Sequence, residues 1–370
     1  MVRLLIGSAA IAAGCYHPSP ATGVTCGADR ACPDPLICRS STMTCETSGD
    51  TIDAPDVDAI SPLDVHLHAS PGWTIHVLAD LTGAVPYNAN DFTDGTTTME
   101  TLDNAPNGIS ALYAPFTASF AVTAGRSIIE VSGTGATTVH DYRPAMPDMT
   151  GPDNLGPLAF GAPADTGPKL WAGAVSLNGG DGVYTFDEAW AIKRDNVLNN
   201  IAGVSFDPAG IFDTTNIAVI YFIDQAGFER RDTATTHTLI SPSQSDHADI
   251  AITQDAIYSA FYPMAGGAQL VRIASGTHAV TTIDTAVTSF DVAEGGPITA
   301  TGVIALRDET ELVIYADDGT SQLGANTTDP AWAWRGLTTP RAPHPLAGSF
   351  VVLESNRTLD IDRLLVVTPP

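Results

Sequence analysis

Ile273-Ala-Ser-Gly-Thr-His-Ala-Val-Thr-Thr-Ile283 decides the fold, because similar segments recur along the chain at a nearly constant interval. Each combines an apolar strand, a tight turn and a following strand that is rich in Thr. Thr277 of this segment lies 42 residues after Thr235 and 43 residues before Thr320, while Thr134 stands 101 residues before Thr235. This spacing predicts an all-β repeat in which every unit contributes an antiparallel hairpin.

Apolar segments of a second kind precede several of these hairpins and end in a turn that contains Gly or Asp: Leu158–Phe160, Val204–Asp207, Ile250–Ile252 and Ser289–Asp291. The stretch Phe206-Asp207-Pro208-Ala209-Gly210 resembles the turn between the first two strands of a blade in NHL-like and lactonase-like β-propellers, where Asp, Pro and Gly favour a tight turn. The resemblance implies a β-propeller over residues 73–370. A unit of about 42 to 46 residues gives six or seven blades, and the segmentation favours six.

The two ends of this region indicate a closed ring. Trp73-Thr-Ile-His-Val-Leu78 is an isolated strand ahead of the first full repeat, and Phe350–Leu353 and Leu359–Val367 are late strands of the last blade. We expect the early strand to pair into the last blade, because this pairing removes an exposed sheet edge. Two β-sandwich domains are the alternative, since strand spacing alone does not separate the two architectures.

The N-terminus predicts export and lipid attachment. Arg3 is followed by an apolar run from Leu4 to Ala13 that is too short for a permanent transmembrane helix. Ile11-Ala12-Ala13-Gly14-Cys15 resembles the lipobox of bacterial lipoproteins, which implies that residues 1–14 are a signal peptide and that Cys15 carries acyl chains. The predicted location is the cell envelope, on the outer membrane, facing the periplasm or the cell surface. An ordinary secretory signal is the alternative.

The remaining cysteines define a small segment over residues 15–45. Cys26, Cys32, Cys38 and Cys45 form an even set in a stretch with little apolar content, so two disulfides are expected, with three pairings possible. A zinc site is less favoured because the paired CxxC spacing is absent. The segment around Cys32-Pro33 resembles a short repeat that follows the lipid anchor of surface lipoproteins in large-genome bacteria, which implies a spacer.

Residues 46–72 contain six acidic residues, three prolines and no Lys or Arg, which predicts an extended linker. His66 and His68 fall inside this range and are interpreted as solvated side chains, because a flexible linker holds no further metal ligands in place.

The charge composition excludes more classes of function than any sequence motif identifies. The chain has 42 acidic and 16 basic residues and a net charge of −26, so no nucleic-acid partner is expected. The sequence contains no nucleophile elbow, HExxH, P-loop or GxGxxG motif, and no catalytic or cofactor-binding residue is assigned. Trp332, Trp334 and Arg335 form the predicted binding patch, with inter-blade packing as the alternative role of the two indoles.

Two functions therefore compete. The first is a membrane-tethered binding or scaffold lipoprotein that displays a propeller to a protein or glycan ligand. The second, implied by the lactonase-like resemblance, is a metal-dependent hydrolase or lyase with Asp207, Asn216 and Asp291 as candidate ligands. Asn178–Gly182 and Asp317–Gly319 are the turns richest in oxygen, but each offers too few ligands for Ca²⁺, so no metal site is assigned and a local turn role is favoured.

Overall fold

The computed structural model describes an all-β chain. The described residues are 24–25, 36–39, 44–47, 64–84, 106–142, 154–175, 182–196 and 201–370, the last range with gaps at 202, 208–218, 225–226, 234, 242–246, 254–255, 262–266, 288–289, 294–301, 317, 357 and 360. The chain divides into two compact units, Met1–Asp64 and Val65–Pro370. Within the described ranges, no helix has the length and apolar character needed to cross a bilayer.

The first unit contains one small antiparallel sheet. Its strands are β1 (Val24–Thr25), β2 (Leu36–Arg39) and β3 (Thr44–Thr47), in the order β1-β3-β2. The register places Cys38 directly opposite Cys45. Opposite residues of an antiparallel pair have Cα atoms about 4.5 to 5.5 Å apart, a separation that a disulfide spans. The backbone is therefore compatible with a Cys38–Cys45 pair, and the predicted disulfides stay a prediction.

The second unit contains six antiparallel sheets that form the blades of a β-propeller. Blade 1 consists of β6 (Pro106–Ala111), β7 (Ser119–Ala124), β8 (Ser127–Ser132) and β9 (Thr137–Asp141). Blade 2 consists of β10 (Asn154–Gly161), β11 (Lys169–Val175), β12 (Gly182–Phe186) and β13 (Ile192–Asn196). Blade 3 consists of β14 (Gly203–Asp207), β15 (Val219–Asp224), β16 (Gly227–Thr233) and β17 (Thr236–Ser241).

Blades 4 to 6 complete the ring. Blade 4 consists of β18 (His247–Ile252), β19 (Ala256–Phe261), β20 (Ala268–Ala274) and β21 (Val280–Val287). Blade 5 consists of β22 (Phe290–Val292), β23 (Val303–Arg307), β24 (Glu311–Tyr315) and β25 (Ser321–Thr327), followed by β4 (Leu67–Ala69). Blade 6 consists of β26 (Trp332–Thr338), β27 (Phe350–Asn356), β28 (Ile361–Thr368) and β5 (Thr74–Asp80).

Each pair of neighbouring blades shares one apolar core, which gives six cores around the ring. Successive residues of a strand alternate between two of these cores. On β27, Val351 and Leu353 pack toward blade 1, whereas Phe350 and Val352 pack toward blade 5. Because both faces of such a strand are buried, the central strands are nearly continuous apolar runs.

The structure confirms the six-bladed propeller and the predicted closure, and it excludes two β-sandwich domains. Thr134, Thr235 and Thr277 lie just before the outermost strands of blades 1, 3 and 4, and Thr320 lies just before β25, the fourth strand of blade 5. The predicted apolar segments fall on the innermost strands β10, β14, β18 and β22. The early strand β5 pairs with β28, with Val367 opposite Ile75. One strand from the start of the domain thus completes the last blade.

The predicted linker boundary at residue 72 is wrong. Residues 65–72 belong to the folded domain, and β4 pairs with β25 as a fifth strand of blade 5. His66 is buried, whereas His68 is exposed on β4. The physical reason is that β25 would otherwise present unpaired backbone groups at a sheet edge, and the three-residue β4, with Leu67 packed on the core of blades 5 and 6, pairs with them.

Candidate functional site

Three partly exposed aromatic side chains lie where the innermost strands of blades 1 to 3 finish. We name this end of the ring the mouth and the set Tyr113, Phe160 and Phe206 the aromatic arc. Each ring packs against a different inter-blade core: Tyr113 on the core of blades 6 and 1, Phe160 on that of blades 1 and 2, and Phe206 on that of blades 2 and 3. The arc therefore covers three consecutive joints and keeps part of each ring exposed.

Close contacts between neighbouring innermost strands hold the arc together. Phe160 donates its backbone N–H to Ser110 Oγ of blade 1 at 3.1 Å, and the Tyr113 and Phe160 ring centroids are 5.4 Å apart. Phe206 lies against Gly161 so closely that a Cβ atom on Gly161 would be 2.5 Å from Phe206 Cγ. Gly161 is thus required for the approach of blade 3 to blade 2 at the mouth.

We expect Gly161→Ala to destabilise the domain by about 1–3 kcal/mol, because its methyl group displaces the Phe206 ring and strains a packed joint. Gly156→Ala on the same strand is the matched control, since its nearest new contact is an ordinary 3.8 Å. Chemical denaturation of both variants measures the difference. Equal stabilities would show that Phe206 moves aside freely.

The loop at residues 339–349 of blade 6 extends the mouth on the other side of Tyr113. Ala111 donates its backbone N–H to Thr338 Oγ1 at 3.3 Å, and Arg341 donates its backbone N–H to the Tyr113 hydroxyl at 2.7 Å. Between them, Thr339 is 2% exposed, and its hydroxyl has no hydrogen-bond partner in the described structure. The loop is thus tied to the mouth by hydrogen bonds, and the Thr339 hydroxyl lies buried beneath its surface.

His344 anchors this loop from beneath. Its ring is buried beside Phe120 and lies 3.3 Å from the Ser119 carbonyl through Nε2, while Nδ1 accepts the Leu346 backbone N–H at 3.2 Å. Burial lowers the pKa of His344, and the Ser119 carbonyl opposes this shift only in part. The imidazole is therefore neutral at pH 7 and fixes the loop without adding charge to the mouth.

The predicted binding patch is not a surface in the structure. Trp332 is buried and stacks on His66 at 4.2 Å, with the Arg363 guanidinium 4.5 Å from its ring. Trp334 is also buried and donates its indole N–H to Glu354 at 3.0 Å. Arg335 lies beside Glu309 at 3.9 Å. Trp334 therefore packs in the core between blades 5 and 6, and Trp332 packs between His66 and Arg363.

These indoles form part of a buried polar cluster that we name the clasp: His66, Trp332, Trp334, Glu354 and Arg363. Glu354 is fully buried and accepts hydrogen bonds from Trp334 and Arg363, with His66 Nε2 at 3.0 Å from Oε1. The clasp joins the entering chain to blade 6, so its role is structural.

Two of the three candidate metal ligands lie in the described part of the chain. Asp207 is buried at the end of β14, Asp291 lies on β22, and Asn216 lies outside the described residues. Within the described part of the chain, no three His, Cys, Asp or Glu side chains are grouped as a metal site would require. The Asp318 carboxylate instead accepts the Thr320 hydroxyl and backbone N–H at 2.6 and 2.9 Å, and these bonds lower the pKa of Asp318.

The residues predicted for the N-terminal segment are mostly beyond what the structure describes. Cys15, Cys26 and Cys32 lie outside the described residues, as does the turn that begins at Asn178. Cys38 and Cys45 are described only through the backbone of β2 and β3.

The six antiparallel sheets, the last of which is completed by β5, define a six-bladed β-propeller. No protein-family model and no curated protein match the chain. A solved glucose dehydrogenase is similar at 11% identity with a TM-score of 0.50, covering 80% of this chain and all of that chain. A gluconolactonase from Xanthomonas campestris (12%, TM-score 0.49, 73% and 89% covered) and an auxiliary nutrient binding protein from Bacteroides thetaiotaomicron (10%, 0.49, 72% and 69%) are also similar. At these identities the likeness shows the fold alone.

Proposed function

We propose that this protein is a lipid-anchored binding lipoprotein of the cell envelope, on the outer membrane, whose propeller captures a neutral glycan at the mouth. The observation that carries the proposal is the aromatic arc, in which three partly exposed rings follow one another along adjacent blades. Aromatic faces with a few hydroxyl groups around them are typical of ligand sites, and flat rings stack on the C–H faces of sugars. The net charge of −26 disfavours anionic ligands.

The tether is supported by the lipobox-like approach to Cys15. We expect the wild-type protein to partition into the detergent phase, since several acyl chains anchor far more firmly than one. Cys15→Ser removes the acylated thiol, so that variant should appear in the aqueous phase or remain unprocessed. Detergent-phase partitioning that is the same for both proteins would contradict lipid attachment at Cys15.

The glycan site is tested with neutral polysaccharides. Affinity electrophoresis of the Cys15→Ser protein through gels that contain xylan, dextran or hydroxyethyl cellulose should show retardation by at least one of them. Adding Tyr113→Ala and Phe206→Ala should weaken this binding at least tenfold, because two of the three stacking faces are removed, which corresponds to about 1.4 kcal/mol.

Leu239→Ala is the matched control, because Leu239 is an exposed apolar residue on the outermost strand of blade 3 and lies outside the arc. It should leave the retardation unchanged. Equal mobility of wild-type and arc variant in all three gels would count against a glycan site. A protein captured through the arc would then be the alternative ligand.

A further inference from the structure

The aromatic arc continues outward in an unbroken path of ring contacts. Phe160 meets Phe116 at a centroid distance of 6.0 Å, Phe116 meets Trp190 at 5.3 Å, and Trp190 stacks on His140 at 3.9 Å and 16°. Trp190 precedes the outermost strand of blade 2, and His140 lies on the outermost strand of blade 1. The path therefore leads from the mouth to the rim along the joint of blades 1 and 2.

The members of this path differ in exposure. Phe116 is buried and supports its neighbours from beneath, whereas Tyr113, Phe160, Trp190 and His140 each keep part of their surface exposed. The buried Phe116 ring lies between the exposed rings of Phe160 and Trp190. The structure thus contains a second platform, Trp190 with His140, at a distance from the arc.

Trp190 is fixed in an unusual backbone conformation. Its φ of 60° lies in the left-handed region, which bulky residues rarely adopt. Asp187 holds the turn by accepting the backbone N–H groups of Ala189 and Ala191 at 3.1 and 2.9 Å, and the Tyr142 hydroxyl donates to the Trp190 carbonyl at 3.1 Å. Glycine would adopt this φ without strain, so Trp190 is held in a strained backbone conformation by these contacts.

Polar groups accompany the second platform. His140 Nε2 lies 3.3 Å from Glu130 Oε2, and Ser119 donates its hydroxyl to Glu130 Oε1 at 3.0 Å. The partly exposed Glu130 carboxylate, which the buried Ser119 supports, holds His140 parallel to the indole and places hydrogen-bonding atoms beside it. A flat ring with a carboxylate at its edge suits a sugar, which offers a C–H face and hydroxyl groups at once.

We infer that the glycan recognised by this protein is a linear neutral oligosaccharide, which occupies the arc with one part and the Trp190–His140 platform with another. The inference rests on the proposed function of the mouth and adds to it the length of the ligand. A mono- or disaccharide reaches only one platform. A longer chain reaches both, so its affinity gains from the second contact.

Isothermal titration calorimetry with cello- and xylo-oligosaccharides of two, four and six units tests the inference on the Cys15→Ser protein. We expect the affinity for at least one series to rise tenfold or more from two to six units. Trp190→Gly should abolish this rise and leave disaccharide binding intact, since glycine accepts the φ of 60° and removes only the indole. Phe160→Leu should weaken short and long ligands alike.

Trp190→Phe is the second variant, because it keeps an aromatic face on the same backbone and should restore part of the length dependence. Thermal melting of each variant confirms that the domain is folded. Sugar binding that does not depend on length, or a Trp190→Gly variant with wild-type length dependence, overturns the inference and leaves the proposed function standing. No binding of any oligosaccharide or polysaccharide overturns both.

Discussion

Deletion of residues 65–80 should unfold or aggregate the propeller, although the segment is a small part of the domain. The deletion removes β5 from blade 6 and β4 from blade 5, so two sheet edges become exposed at once. It also removes Trp73, which is buried in the core of blades 5 and 6 and stacks on Phe350 at 5.8 Å. Loss of a buried Trp alone costs about 3–5 kcal/mol, a large share of the stability of a domain.

Deletion of residues 15–63 is the matched control, because it ends just before the folded unit that begins at Val65. This variant should stay soluble and melt cooperatively near the temperature of the Cys15→Ser protein. The measurement is circular dichroism with a solubility assay. A deletion of residues 65–80 that melts like the control would show that the ring closes without its entering strands.

Glu354→Gln is the second change with a large expected effect, about 3–5 kcal/mol of unfolding free energy in chemical denaturation at neutral pH. Glu354 and Arg363 are both buried, and Arg363 donates its Nε–H to Glu354 Oε2. A neutral amide leaves the guanidinium charged in a site shielded from water, and the amide also has fewer acceptor positions for Trp334 and His66.

Glu309→Gln is the control for that charge change. Glu309 is exposed and lies 3.9 Å from the Arg335 guanidinium, so the substitution should shift stability by about 1 kcal/mol or less. The combined change His66→Leu, Glu354→Leu and Arg363→Met should recover part of the lost stability, because apolar residues can replace a buried ion pair but leave the Trp334 indole N–H without its acceptor. Similar losses for Glu354→Gln and Glu309→Gln would contradict a dominant role of the buried cluster.

The repeat was predictable because its signals are local. The Thr-containing turns of blades 1, 3, 4 and 5 and the apolar runs before inner turns depend on hairpin geometry, and they recur whatever the neighbouring blade contains. Closure by the strand at Trp73 was predictable for a related reason. The unpaired strand that begins at Trp73 supplies the strand that the last blade lacks, so neither is left with an open sheet edge.

The clasp was not predictable in the same way. His66 meets Glu354 across 288 residues of sequence, and no local pattern indicates that a histidine in an acidic, proline-containing stretch is buried. For this reason the linker predicted from the sequence extends to residue 72, whereas the folded unit begins at Val65. The position of Trp332 and Trp334 at the ring closure likewise depends on strands from both ends of the domain, so the sequence alone did not decide between packing and binding.

The aromatic arc and the Trp190–His140 platform were predictable from the sequence only in part. Phe160 and Phe206 each stand before a Gly or Asp turn at the end of an apolar run, and this position is a usable signal. Tyr113 and Trp190 lie in connecting segments, and their relation to those phenylalanines arises only when blades 1 and 2 are packed together.

The order of the entering residues also has a mechanical consequence. The polypeptide enters the domain at Val65 and passes in turn through His66, β4, Trp73 and β5. If the N-terminus is anchored in a membrane, tension on the anchor reaches His66 and the three-residue β4 before it reaches the seven-residue β5. Detachment of β4 would then lengthen the tether while β5 still completes blade 6.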